Sequence, residues 1–250
     1  MRTATLVLAL AILTPTAAPT QAPAGPDAKA ILDRAIAAHG GKDQLARARA
    51  DWVKIKGTLH LENQQIPFVG ETWVQLPGQF KNSLELTNPK GTTRLVQVIA
   101  KDKVTVTLDG RPHKASPAAL SEMSETLHLN NAIRLLPLLA QPEVYKVEAT
   151  GEAKADDRTL LGVKVTARGR RDLRLFFDKE SGLLVRTEQM LDDGNGKEVR
   201  QETVYLDFRE LGGYKRPVKM AAFREGKKVM DAELVEVKYF EKFEDAIFAP

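Results

Sequence analysis

The sequence predicts a mainly β fold of the α+β kind: one large antiparallel sheet that curls on itself, with helices packed on one side. Three observations carry this expectation. Apolar and polar residues alternate in block after block, the period of strands with one buried face. Turn residues separate these blocks at short, nearly regular intervals. Helical patterning is confined to the start and the middle of the chain, which excludes a parallel βαβ design.

The chain opens with Met1-Arg2-Thr3 and an apolar run from Ala4 to Leu13. A run of ~10 residues is too short for a bilayer, which needs ~20 per helix. A positive start, a short apolar core and the small residues Ala22-Pro23-Ala24 read as a secretory signal peptide over residues 1–24. The expected product is an exported, soluble, single domain over residues 25–250 with no transmembrane segment. The sequence contains no cysteine, so it offers neither a lipid-attachment site nor a disulfide. Its formal charge is +4, but Lys, Arg, Asp and Glu are interleaved and no basic block marks a nucleic-acid partner.

Asp27 is placed to cap a helix that carries Ile31, Leu32, Ala35 and Ile36 on one face. His39-Gly40-Gly41 ends it, and Asp43 is expected to cap one further turn. From Trp52 the period becomes two. Val53, Ile55, Gly57, Leu59 and Leu61 share one face of the first strand, and Phe68–Gln75 forms the second. In the third, Phe80, Leu84 and Leu86 are expected to point inward, with Lys81, Ser83 and Glu85 outward. Arg94–Ala100 and Val104–Leu108 complete five strands, closed by Asp109-Gly110-Arg111-Pro112.

The middle of the chain changes character. Ser116-Pro117 is a helix start, followed by Leu120, Met123 and Leu127 at helical spacing. Leu127–Ala140 is densely apolar, and Pro137 is expected to break or kink it. The polar pair Asn130-Asn131 is expected to interrupt it as well.

Strands resume at Val144–Ala149 and Leu160–Ala167. A four-stranded meander then runs from Leu173 to Phe223, turning at Asp178–Gly182, at Asp192–Gly196 and at Gly212-Gly213. Lys228–Tyr239 is the last strand, and Phe248 anchors a short tail. The count is about 12 strands.

Chemical motifs are absent. His39, His60, His113 and His128 have no second ligand at metal spacing and read as surface or cap residues. No serine sits in a nucleophile elbow, and no glycine loop fits a nucleotide. Asp156-Asp157 and Asp192-Asp193 fall in turns, where Asp caps local backbone. The sequence therefore points away from an enzyme, a metal or an organic cofactor.

Shape is what remains. A curled sheet of this size has a concave apolar face that something must cover. Phe80, Leu84 and Leu86 from the sheet, with Leu127, Ile133, Leu135, Leu136 and Leu138 from the middle segment, are the candidate ligand-binding residues. The same apolar density also suits an ordinary core helix.

The order of several short motifs resembles the LolA/LolB-like superfamily of periplasmic lipoprotein carriers and sorting proteins. They are Ala38-His39-Gly40-Gly41 with Leu45, Pro77-Gly78-Gln79-Phe80-Lys81, and Asp109-Gly110. Asp178 through Arg186 with Ser181-Gly182-Leu183, Tyr205–Arg209 with Gly212-Gly213 and Pro217, and Asp245–Phe248 complete the set. Lys81 stands where the carriers have arginine. The resemblance implies an unclosed β-barrel of about eleven antiparallel strands, its apolar cavity plugged by helices. It also implies a carrier for a lipid or a lipoprotein acyl chain in the periplasm. An envelope protein docking on the same fold, its cavity self-filled, is the alternative partner.

Overall fold

The computed structural model describes residues 26–100, 103–193 and 196–249. The expected signal peptide, its cleavage point and the Gly194-Asn195 turn residues lie outside them.

Among the described residues there are thirteen strands in one antiparallel sheet. The first six are β1 (Ala50–Leu61), β2 (Gln64–Gln75), β3 (Gln79–Asn88), β4 (Gly91–Ala100), β5 (Lys103–Leu108) and β6 (Arg111–Pro112). The rest are β7 (Tyr145–Ala155), β8 (Arg158–Ala167), β9 (Leu173–Asp178), β10 (Leu184–Asp192), β11 (Glu198–Leu211), β12 (Tyr214–Arg224) and β13 (Lys227–Phe240). The pattern count missed β6, whose two residues are too short to show a period. Two meanders are joined back to back where β1 pairs with β13. β6 and β7 are left as the two edges, so the sheet does not close. Bulges at Lys54/Ile55 and Ala222/Phe223 bend it where it curls.

Helices occupy the concave side. α1 (Ala28–Ala38) is capped by Asp27, whose carboxylate accepts from the Ala30 amide at 2.7 Å. Gly41, not Asp43, precedes α2 (Lys42–Arg47); Asp43 sits in its first turn, where an acid favours the helix dipole. Ser116 caps α3 (Pro117–Ala132) as the sequence predicts.

The middle segment is two helices, because α4 covers only Leu136–Ala140. Pro137 lies at the start of α4, and the break falls before it, at Ile133–Leu135. In a continuous helix the proline ring would collide with the Ile133 carbonyl four residues back, which forces the chain to break there. Asn130 and Asn131 do not interrupt α3. Asn130 bonds back to the Thr126 carbonyl within the helix, and Asn131 donates to the Pro77 carbonyl across the cleft.

The cores follow the two faces of the sheet. α1, Leu135 and Leu138 pack on the concave side of β8–β10 through Leu161, Val163, Leu173, Leu175 and Phe177. Met123 and Leu127 of α3 cover Phe80, Ile99 and Val106. The convex side is also apolar. Phe243 and Phe248, the latter in a 3-10 turn over Asp245–Phe248, pack against Ala50 and Val98 beside Trp52 and Trp73.

β3 shows one departure from expectation. Glu85 is exposed as expected, but Ser83 is buried on the convex face, where the Arg94 side chain reaches it. Lys81 is also on the convex face. Its ammonium lies over the Trp73 ring and donates to the Ile247 carbonyl at 2.8 Å.

Two sequence motifs become legible as joints. Asp178 accepts from the amide and hydroxyl of Ser181, both at 2.7 Å, and Gly182 takes φ 75° to close the turn. In His39-Gly40-Gly41, Gly40 has φ 125°, and a Cβ there would lie 2.6 Å from the Gly213 carbonyl oxygen. The two glycine motifs are thus one contact between the end of α1 and the β11–β12 turn.

Candidate functional cavity

Between the two filled parts of the concave face, under the β1–β13 seam, the sheet encloses a cavity of about 800 Å³. Its floor is built from alternate residues of neighbouring strands: Val53, Ile55 and Leu59 of β1, Phe68 and Val74 of β2, Met220 of β12 and Leu234 of β13. From Asp51 to Leu59 the floor runs roughly 26 Å, at ~3.3 Å per strand residue. The cover is the α3–α4 break with the residues on either side of it.

The residues expected to bind a ligand divide into two groups. Phe80 and Leu84 line the cavity from β3; Ile133, Leu135 and Leu136 line it from the break and α4. Leu86, Leu127 and Leu138 do not line it. Leu86 lies beyond the cavity towards the far end of β3. Leu127 packs beside Met123, and Leu138 is buried against α1.

One end of the cavity is ionic. Asp51 is 0% exposed and lies between two arginines. Arg134, in the α3–α4 break, donates to its Oδ1 at 2.9 Å; Arg216 of β12 donates to its Oδ2 at 2.6 Å. Burial pushes the Asp51 carboxyl up, but the two guanidinia outweigh it and hold the group below its ordinary value. Arg216, over the Tyr239 ring, is in turn held charged by Asp51 against its own burial. This cluster ties the cover to the sheet.

Leu135 adds a second feature to the break. It is 1% exposed yet has φ 64°, a region that bulky residues avoid. Such a backbone costs on the order of 1–3 kcal/mol and persists only where the surroundings impose it. Here burial of its side chain and the neighbouring Arg134–Asp51 pair supply that constraint.

Sequence reasoning missed this ionic cluster, although a signal was present. Asp51 has the same strand parity as Val53 and Ile55, and Arg216 the same parity as Val218 and Met220. Both are charges at inward positions. The histidines resolve differently from expectation in one case: His128 is buried and stacked on Tyr145, with ring centroids 5.9 Å apart. His39 is the cap residue expected. His60 pairs with Asp231 at 2.6 Å. Among the described residues there is no cluster of three or more His, Asp or Glu side chains suited to a metal ion. No helix among them is long and apolar enough to cross a membrane.

The chain shares its unclosed antiparallel half-barrel with several solved structures, a LolA superfamily protein among them. A LolA superfamily protein from Nitrosomonas europaea superposes with a TM-score of 0.57 at 13% identity, over 90% of this chain and 99% of the other. A DUF1329 family protein from Desulfovibrio piger gives 0.58 at 14% identity, over 89% and 97%. A domain from Vibrio parahaemolyticus, described as outer-membrane lipoprotein-sorting, gives 0.56 at 12% identity, over 87% and 94%. No protein-family model and no curated protein matches the sequence. At these identities the likeness is one of fold.

Proposed function

We propose that this protein is an exported, non-catalytic carrier that holds a lipid or a lipoprotein acyl chain in the concave cavity. In this reading residues 1–24 are a signal peptide, residues 25–250 are one LolA-like domain, and the periplasm is the working compartment. The observation that carries it is the cavity: about 800 Å³ of largely apolar wall under the β1–β13 seam. Apolar wall left wet costs roughly 25 cal/mol per Å², and each acyl methylene placed there recovers about 0.8 kcal/mol. The Nitrosomonas and Vibrio neighbours support the reading by fold.

The cover is the moving part. α3 and the short α4 meet at a strained Leu135, so the break can open without melting either helix. Local opening draws on the least stable parts of a fold.

The alternative is an envelope protein-interaction module with a self-filled cavity. It fits the half of the concave face over β8–β10, which α1 and α4 fill. It fits the seam less well, where no side chain among the described residues occupies the space.

Native mass spectrometry of protein purified from its own envelope fraction tests the carrier reading. A retained lipid is expected. Added lipid should change hydrogen exchange at residues 127–140, and Leu136→Glu should weaken lipid binding while leaving the sheet folded. If a range of fatty acids and phospholipids neither binds nor alters exchange there, the interaction module replaces the carrier.

A further inference from the structure

The cavity is not uniform along its length, and its polarity bears on what it carries. One end is floored by Ile55, Leu59, Phe68 and Leu84. At the other end stand Asp51, Arg134 and Arg216. Asp51 is the only acid among the described lining residues, against Arg49, Arg134, Arg216, Lys215 and Lys219. The last two lie at the exposed rim, and Lys219 pairs with Asp207 outside. Within the cluster itself, two guanidinia share one carboxylate, which leaves one uncompensated positive charge at the inner end.

We propose that the ligand is an anionic amphiphile, with its charged head at Arg134 and Arg216 and its acyl chain along the seam towards Leu59. This rests on the carrier reading and narrows it. The ester- or amide-linked acyl chain of a lipoprotein has no anionic head, whereas a fatty carboxylate or a lysophosphatidate has one. The planar guanidinium fork matches both oxyanions, and charge-assisted hydrogen bonds are the strong ones. The head would neutralise the excess charge. The chain would fill the apolar floor, whose length of roughly 26 Å suits a long acyl chain.

The test is a displacement assay with matched chains, using delipidated protein, a fluorescent fatty acid reporter and three competitors: palmitate, 1-palmitoyl lysophosphatidate and neutral hexadecanol. At least one of the two anions is expected to bind ten times or more tighter than hexadecanol. Which of them leads identifies the head as carboxylate or phosphate. In Arg134→Gln the ratio of anion to alcohol affinity should fall at least fivefold, and Arg134→Lys should restore part of it. The wild-type ratio needs no variant to fold, so it decides the matter alone if Arg134→Gln is unstable. Equal affinity for anion and alcohol overturns this inference but leaves the carrier reading intact. Failure of all three to bind overturns both.

Discussion

Arg134 donates from Nη2 to Asp51 Oδ1 at 2.9 Å, linking the break between the two cover helices to the first residues of β1. The same carboxylate binds Arg216 from β12, so one buried acid holds three separated parts of the chain together.

Asp51→Asn should therefore be among the most destabilising single changes in the protein. It leaves two guanidinia without a counter-charge, and breaking a buried pair in this way costs about 3–5 kcal/mol. Chemical denaturation at neutral pH measures it. Acid titration gives a second readout. The Asp51 carboxyl is held below its ordinary value of 3.8, so its contribution is complete above that pH and is lost as the pH falls through its folded value. The wild type should lose stability in that window more steeply than the Asn variant.

His39 is expected to make the fold acid-sensitive nearer neutrality. Its Nδ1 donates to the Ala35 carbonyl at 2.8 Å, which leaves Nε2 to accept from the Leu184 amide at 3.4 Å. Burial lowers its pKa, the Ala35 bond opposes that, and the Arg216 charge lowers it further. Below the ordinary value of 6.5 the unfolded chain binds a proton that the folded chain resists, so stability falls as pH falls from 6.5 towards the folded value. His128, lowered chiefly by burial, adds to the slope. Urea midpoints between pH 7.5 and 5.5 should drop in the wild type and drop less in His39→Gln, which keeps the His128 contribution.

Gly40 and Gly41 should separate when each is changed to alanine. Both have positive φ, but only at Gly40 would the new Cβ meet another part of the chain, the Gly213 carbonyl. Gly41→Ala should cost about 1–3 kcal/mol for backbone conformation alone, because φ 85° with ψ 164° is open essentially only to glycine. Gly40→Ala should cost at least 1 kcal/mol more, because the joint with the β11–β12 turn must also open. Thermal unfolding of the two variants side by side checks the difference.

Leu84 and Leu175 are both inward leucines, yet their truncation should read differently. Leu175 is 0% exposed in the core under α1, and Leu175→Ala should cost about 2–5 kcal/mol. Leu84 lines the cavity and is only half-buried, so Leu84→Ala should cost less than half as much. Under the carrier reading it should weaken lipid binding instead. Denaturation and lipid titration on the pair of variants measure both effects.

Within β3 and the middle segment, the limits of sequence reading are physical. The inward set Phe80 and Leu84 was legible because strand parity is local. The burial of Ser83 was not, because it depends on the Arg94 side chain of the neighbouring strand reaching across the convex face. Pro137 announced a break, but its position at Ile133–Leu135 follows from where the ring would strike the preceding turn. Lys81 sits at the carriers' arginine position and is turned away from the cavity; the guanidinia inside it come from Arg134 and Arg216.

By itself the sequence determined twelve of the thirteen strands, the caps at Asp27 and Ser116, and the inward parity of strands such as β1 and β3. These depend on backbone propensity, turn chemistry and a period of two, all of which act within a few residues. Only the tertiary structure decided that β1 pairs with β13 and that an unfilled cavity lies under that seam. It alone brought Asp51, Arg134 and Arg216 together. Those outcomes depend on contacts between residues up to 190 positions apart, as between Ala50 and Phe240. No local pattern encodes such pairings, because each becomes favourable only when the whole sheet has curled.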